Sequence, residues 1–145
     1  AFSYCKSLET VVYDRNSQVK VIRGNTAVIG TFHYCTALRS ITLPVSVDSI
    51  GQHVFTGCES LHIVDASACT NLEYIGKRAF EGCDSLTLFK VGALYPPQCE
   101  DNNFSFPRDS YAILNSVLQV PSGQISYYSS SEGWKNFHSI IELPK

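Results

Sequence analysis

Apolar residues recur in a fixed pattern along the first two-thirds of the chain. The pattern is a phenylalanine, two residues, a cysteine, two residues and a leucine, and its four copies span residues 2–8, 32–38, 55–61 and 80–86. The cysteines of successive copies are 30, 23 and 25 residues apart, which is the spacing of a structural repeat. The pattern therefore predicts a solenoid, in which each repeat buries its apolar side against the next one.

Two further pieces of pattern flank each copy. Ile41 and Leu43 are two residues apart, as on one face of a strand, and Ile41 is β-branched. Together with Leu38 they predict a short strand region with three inward positions. In the last three copies an isoleucine–glycine pair stands before the phenylalanine, and its glycine lets the backbone turn. The pairs are Ile29-Gly30, Ile50-Gly51 and Ile75-Gly76. The segment from glycine to cysteine predicts a single helical or 3₁₀ turn, and stacked strands predict a parallel sheet along one face.

The repeats are not uniform in length. Because the first interval is seven residues longer than the second, we expect a loop or irregular coil from Asp14 to Ala27. A half-unit from Cys69 to Leu72 lies between the third and fourth copies. These departures affect the local register and leave the predicted solenoid intact.

The pattern stops after Val91, and the next residues include the pair Pro96-Pro97, which disfavours helix and strand. Residues 116–120 predict a strand and residues 121–137 a partly helical segment. Its aromatic residues are expected to close the open end of the core: Tyr127, Tyr128, Trp134 and Phe137. A ligand-stacking role is the alternative for Trp134. We therefore expect one structural domain, with about four repeats in residues 1–91, the first truncated, and a capping region in residues 92–145.

Composition narrows the possible functions. The 145 residues are 44% hydrophobic and 17% charged, which is typical of a folded protein. Eleven basic against thirteen acidic residues, without a basic stripe, argue against a nucleic-acid partner. No apolar run approaches the roughly 18 residues of a membrane span, so we expect no membrane insertion. The chain shows no signal peptide and begins inside a repeat, so we expect further repeats upstream.

The six cysteines do not predict disulfides. Four occupy one repeat position, so their side chains are expected to point inward in parallel, at the roughly 4.8 Å spacing of stacked strands. A disulfide prefers Cβ atoms about 3.8 Å apart. We therefore expect free, buried thiols. We expect Cys69 to be buried in the half-unit, whereas the pattern gives no account of Cys99.

The sequence contains no combination of residues that predicts a catalytic or metal-binding site. His33 lies near Cys35 and His62 near Cys58, but no Cys-x-x-Cys or His-x-x-x-His spacing occurs, and these cysteines belong to the predicted core. We therefore expect no metal, no cofactor and no catalytic site, and the protein is not expected to be an enzyme.

The repeats resemble a known family. Residues 50–61 and 75–86 are similar to the BspA-type leucine-rich repeat, which reads roughly Ile-Gly-x-x-Ala-Phe-x-x-Cys-x-x-Leu-x-x-Ile-x-Ile-Pro, and Leu43-Pro44 matches its final proline. Residues 118–140, with Gly133-Trp134, resemble the C-terminal cap of that family. The resemblance implies an α/β repeat fold: a right-handed leucine-rich-repeat solenoid with short parallel strands, short helical or 3₁₀ turns and a C-terminal cap. It also implies a secreted or cell-surface protein that adheres to proteins of a host or of neighbouring cells, including extracellular-matrix components.

The outward positions of the predicted strands form the candidate protein-binding face. Its residues are Val12, Arg39, Thr42, His62, Asp65, Thr87 and Lys90. The face mixes charged and hydroxyl side chains with the apolar Ile63 and Leu88, a mixture that suits protein recognition. Two alternatives remain: an ordinary solvated sheet with the contact on upstream repeats, and a spacer or stalk that displays another domain without binding.

Overall fold

The structure is a computed structural model that describes residues 2–24, 29–100, 113 and 115–145. Short strands follow one another along these residues. They are β1 (Thr10–Val11), β2 (Val21–Ile22), β3 (Ser40–Thr42), β4 (Ser49–Ile50), β5 (Ile63–Ala66), β6 (Tyr74–Ile75), β7 (Leu88–Val91), β8 (Gln98–Cys99), β9 (Val117–Val120) and β10 (Ser139–Glu142). One helix, α1 (Ile125–Ser129), lies between β9 and β10.

The strands form two parallel sheets. The larger has the order β1-β3-β5-β7-β9-β10, and the smaller has the order β2-β4-β6-β8. From β1 to β9, odd-numbered strands lie in the larger sheet and even-numbered strands in the smaller one as the chain winds, which is the predicted solenoid, and β10 then joins the larger sheet beside β9. The smaller sheet is absent from the sequence prediction, which gave one sheet. It forms because Ile22, Ile50, Ile75 and Cys99 stack in register, so Cys99 occupies the last position of an isoleucine ladder.

The second repeat has a different register from the predicted one. Ile22 pairs with Ile50, whereas Ile29, which the pattern aligned with Ile50, is exposed. The chain takes ten positions from Ile22 to Phe32 but five from Ile50 to Phe55, so extra residues lie directly before Phe32. The loop or irregular coil predicted between Asp14 and Ala27 is present over residues 14–20, but Val21–Ile22 form β2, and residues 25–27 lie outside the described part.

The phenylalanine-to-cysteine segments are turns, not helices. In the third copy the Cys58 amide donates to the Phe55 carbonyl at 3.1 Å, which closes one turn. The Phe55 and Gly57 amides donate to Ala79 and Glu81 carbonyls of the next coil, both at 2.8 Å. Because alternate N–H groups bond to a neighbouring coil, no continuous helical ladder can form. The predicted single helical or 3₁₀ turns are not confirmed as helix: each is one hydrogen-bonded turn, residues 2–24 and 29–100 contain no helix, and strands and turns make up these repeats.

The repeated cysteines form a buried ladder of hydrogen-bond donors. The Cys58 thiol donates to the Phe32 carbonyl at 3.1 Å, and the Cys83 thiol donates to the Phe55 carbonyl at 3.2 Å. Cys35 makes the equivalent bond. All six cysteines are free thiols, and Cys5 is the half-buried one. The thiols of Cys35, Cys58 and Cys83 therefore each link two coils as well as filling the core, a role that the spacing did not predict.

Burial should make this ladder unreactive. Burial raises the pKa of Cys58 to about 12 and that of Cys69 to about 11. At pH 8 a thiol with a pKa of 12 is ionised to about one part in 10⁴, and the thiolate is the reactive form. We expect a disulfide-exchange reagent to label Cys5 rapidly in the native protein and all six thiols after unfolding in urea. Rapid labelling of several native thiols, or fewer than six thiols after unfolding, would contradict this description of the core.

Stacked aromatic rings fill the centre of the solenoid. Phe32, Phe55 and Phe80 lie one above another, with ring centroids 5.5 and 5.3 Å apart. Phe80 then meets the edge of Phe89, which contacts Trp134. The core therefore continues without a break into residues 113–145. In that region β9 starts at Val117 instead of residue 116, and α1 covers five residues of the segment 121–137.

Candidate functional site

The outer face of the six-stranded sheet carries the residues predicted to bind a partner. Along β3, β5 and β7 the inward positions Ile41, Val64 and Phe89 are buried, and their neighbours on the strand point outward. Because every pairing is parallel and in register, equivalent outward residues line up across the strands. The face therefore consists of columns that run perpendicular to the strands.

One column is polar. The phase of the repeats predicts a column of Val12, Thr42, Asp65 and Lys90. Thr42 pairs with Asp65 and Asp65 pairs with Lys90, whereas Val12 follows the last paired residue of β1. Gln119 extends the column on β9. The Lys90 ammonium lies 4.0 Å from the Asp65 carboxylate. The other Asp65 oxygen accepts hydrogen bonds from the amide and the hydroxyl of Ser67, at 3.0 and 2.6 Å. Asp65 is therefore held in place, while Lys90 has one long, partly exposed ion pair.

The adjacent column is apolar at its centre. Ile63 pairs with Leu88 and Leu88 pairs with Val117, and these three half-buried residues form what we call the apolar stripe. Serines stand at both ends, Ser40 beside Ile63 and Ser139 beside Val117. The stripe is a set of contiguous apolar anchors that is bordered by polar side chains on the same sheet.

The remaining predicted residues lie at the edges of this face. Arg39, His62 and Thr87 directly precede β3, β5 and β7, and the His62 amide donates to the Arg39 carbonyl at 2.9 Å. The Thr87 hydroxyl donates to the His62 carbonyl at 3.0 Å. Val12 follows β1, is 90% exposed and lines a shallow depression of about 480 Å³ together with Thr42.

A second concave region, the corner groove, lies at the turns and was not predicted. It has a volume of about 600 Å³ and is lined by, among others, Tyr4, His33, Tyr34, Glu59, Glu81 and Asp84. Tyr4 and Tyr34 stack with their ring centroids 5.5 Å apart and nearly parallel. Below them the buried rings of His33 and His53 lie 6.3 Å apart.

Both buried imidazoles favour the neutral form. Burial lowers the pKa of His33. Burial also lowers the pKa of His53, and the positive charges of His33, Arg78 and Lys77 lower it further, against a smaller raising effect of Glu81. Protonation of either histidine therefore disfavours the folded state.

This burial predicts a loss of stability in mild acid. Histidines of an unfolded chain have a pKa of about 6.5, and the pKa values of His33 and His53 in the folded protein are lower. As the pH falls below this value, the unfolded chain therefore binds more protons than the folded protein does, and the folded state loses stability. We expect the melting temperature to be highest above pH 7 and to fall towards pH 5. In the variant H33Q/H53N this fall should be smaller, since asparagine accepts the left-handed backbone of His53. An unchanged pH profile in that variant would contradict the assignment.

The carboxylate of Glu100, which directly follows β8, is hydrogen-bonded to residues of other coils. The Glu100 carboxylate accepts hydrogen bonds from the Tyr74 hydroxyl, the Gln52 amide and the Lys77 backbone, at 2.5, 2.8 and 3.1 Å. The bond from Tyr74 is the largest cause of a lowered pKa at Glu100, and burial followed by Glu100 raises the pKa of Tyr74 to about 12. Such a satisfied carboxylate acts as a structural link between coils.

No group of three or more His, Cys, Asp or Glu side chains in the described part of the chain could hold a metal ion. Among the same residues no helix has the length and apolar character needed to cross a membrane.

Comparison with known proteins yields one match. The family model described as "BspA type Leucine rich repeat region" matches residues 1–105 in six copies. No curated protein matches the chain. No solved structure matches it either.

Proposed function

Because the chain belongs to the BspA-type leucine-rich repeat family, we propose that it is a non-enzymatic module that binds another protein through the outer face of its six-stranded sheet. The observation that carries the proposal is the apolar stripe of Ile63, Leu88 and Val117 beside a polar column. Protein interfaces combine a desolvated apolar centre with a polar rim, and a few central anchors carry most of the binding energy.

The polar column suits the rim of such an interface. The Asp65–Lys90 pair is about 30% exposed on each side chain, so it adds little to folding stability but can orient a charged partner. The raised pKa values of the core thiols support a non-enzymatic role, since protonated thiols are poor nucleophiles.

The partner class follows from the family resemblance. We propose a protein of the extracellular matrix or of a cell surface as the partner, and a secreted or surface-attached location for the module. Neither nucleic acid nor a membrane is part of the proposal. A spacer role without binding is the alternative, and the experiment below separates the two.

The test is a binding screen of the protein against purified extracellular-matrix and cell-surface proteins by biolayer interferometry. For any partner found, the variant I63S/L88S should raise Kd by about tenfold or more, because it removes two central anchors. The matched control is V21S/L94S, which removes one exposed apolar side chain from the smaller sheet and one from the segment after β7 and should leave Kd unchanged.

Either of two results would contradict the proposed binding surface. One is equal affinity of I63S/L88S and the native protein for a partner. The other is no binding to any protein of the panel by a chain that circular dichroism shows to be folded, which would favour the spacer role.

A further inference from the structure

The corner groove exists because one repeat position changes from tyrosine to glycine. The residue before each repeated cysteine has a left-handed backbone in all four copies: Tyr4, Tyr34, Gly57 and Gly82, with φ of 61°, 55°, 75° and 76°. In the first two copies the tyrosine rings stack on each other. In the third copy the Tyr34 ring lies against the Gly57 backbone, where an added Cβ would come within 2.7 Å of the ring. Because Gly57 and Gly82 lack the side chains that Tyr4 and Tyr34 carry at the same repeat position, a groove opens beside Tyr34.

The groove has more negative than positive charge. Glu59 and Asp84 directly follow Cys58 and Cys83, so they hold equivalent positions on adjacent coils. Both are exposed, and neither has an ion pair within the part of the chain that the structure describes. Glu81 lies 3.6 Å from the Arg78 guanidinium. Three carboxylates thus share the groove with one guanidinium, so a positively charged ligand would complement its charge.

His33 adds an unused acceptor to the same groove. Its side chain is 2% exposed and lines the groove. Its Nδ1 has no hydrogen-bond partner among the described residues. Burial lowers the pKa of His33, and in the neutral tautomer with the proton on the other ring nitrogen, Nδ1 is an acceptor. The groove therefore presents acceptors and negative charge, and the complementary ligand carries several N–H donors and a positive charge.

We infer that the corner groove binds a lysine or arginine side chain of a peptide segment in a partner protein. The charged end lies between Glu59 and Asp84, and the methylene groups pack along the ring of Tyr34 and along Ile29, which also line the groove. This site is separate from the apolar stripe, because its residues come from the turns and not from the six-stranded sheet.

The test uses NMR with two acetylated and amidated pentapeptides, Gly-Arg-Gly-Lys-Gly and Gly-Glu-Gly-Glu-Gly, added to the ¹⁵N-labelled protein at pH 7.5. We expect the basic peptide to shift the amide signals of Gly57, Glu59, Gly82 and Asp84, and the acidic peptide to leave them unchanged. The variant E59Q/D84N should weaken the basic peptide's binding at least tenfold. The control E9Q/E73Q, which neutralises two exposed carboxylates elsewhere, should bind as the native protein does.

Three results would overturn the inference. They are equal shifts with both peptides, equal binding by E59Q/D84N and the native protein, and shifts at these amides with maltotriose but not with the basic peptide, which would identify a saccharide site.

As a second variant, Gly82→Tyr places in the groove the residue that the first two copies carry, and an added Cβ at Gly82 meets its nearest neighbour at 3.4 Å, an ordinary contact distance. It should abolish the peptide shifts. The variant I63S/L88S should retain them, so failure of this site is distinguishable from failure of the sheet face.

Discussion

Replacing Trp134 with alanine is expected to lower the free energy of unfolding by about 3–5 kcal/mol, a large share of the roughly 5–15 kcal/mol that holds a domain of this size folded. Trp134 is fully buried, and its ring meets Phe89 and Tyr128 edge-on at centroid distances of 5.6 and 5.3 Å. Its indole N–H donates to the Pro97 carbonyl at 2.8 Å. Truncation therefore leaves a cavity at the end of the aromatic core and a carbonyl without this donor.

Urea unfolding followed by circular dichroism measures this loss, since the variant lacks the tryptophan that fluorescence would follow. The matched control is Tyr127→Ala, an exposed aromatic residue of the same segment, for which we expect a change within about 1 kcal/mol. If Trp134→Ala costs no more than Tyr127→Ala, then the C-terminal residues do not close the core as described.

Replacing Gly76 with alanine is the second large effect that we expect, at about 3 kcal/mol. A Cβ added at Gly76 would lie 2.5 Å from the Gln52 nitrogen and 2.6 Å from the Gly51 carbonyl carbon, which are backbone atoms of the adjacent coil. Backbone cannot move aside without breaking the bond from the Gly76 amide to the Ile50 carbonyl, at 2.7 Å. The variant should therefore separate two coils and lower the urea midpoint.

Gly123→Ala separates this packing effect from the conformational preference of glycine. Gly123 has a φ of +78°, and an added Cβ would meet no atom within 4 Å, so its cost is the left-handed penalty of about 1–2 kcal/mol. If Gly76→Ala is no more destabilising than Gly123→Ala, the close approach of the coils is not what requires glycine at position 76.

The sequence explains much of the larger sheet, because its strands have a visible pattern. The inward residues of β3, β5 and β7 alternate with outward ones and recur at a fixed distance from each cysteine, so their phase could be predicted. The smaller sheet has two-residue strands such as Tyr74–Ile75. Two residues are too few for alternation to be seen, so pairing between coils, and not a local pattern, defines this sheet.

The repeated turns differ from the sequence expectation about where glycine is needed for a left-handed backbone. The sequence argument gave Gly51 and Gly76 the role of turning the backbone, yet the left-handed residues are elsewhere and include Tyr34, His53 and Arg78. Hydrogen bonds to adjacent coils hold these side-chain-bearing residues in a conformation that their intrinsic preference disfavours. Gly51 and Gly76 instead allow coils to approach closely.

The candidate face could be predicted in part for the same reason. The phase of the repeats gave the column of Thr42, Asp65 and Lys90, but the apolar stripe includes Val117, which lies beyond the last recognisable repeat. The corner groove was missed because its residues come from separate repeats. The change from Tyr34 to Gly57 at one repeat position was visible in the sequence and is the signal that could have indicated it.

The most direct test of the proposed function is a methyl ¹³C NMR spectrum of the protein with and without a partner from the binding screen. Binding through the six-stranded face predicts that the methyl signals of Ile63, Leu88 and Val117 shift or broaden most, while the inward Ile41 and Leu118 change little. Unchanged stripe methyl signals in the presence of a saturating partner would contradict the proposal.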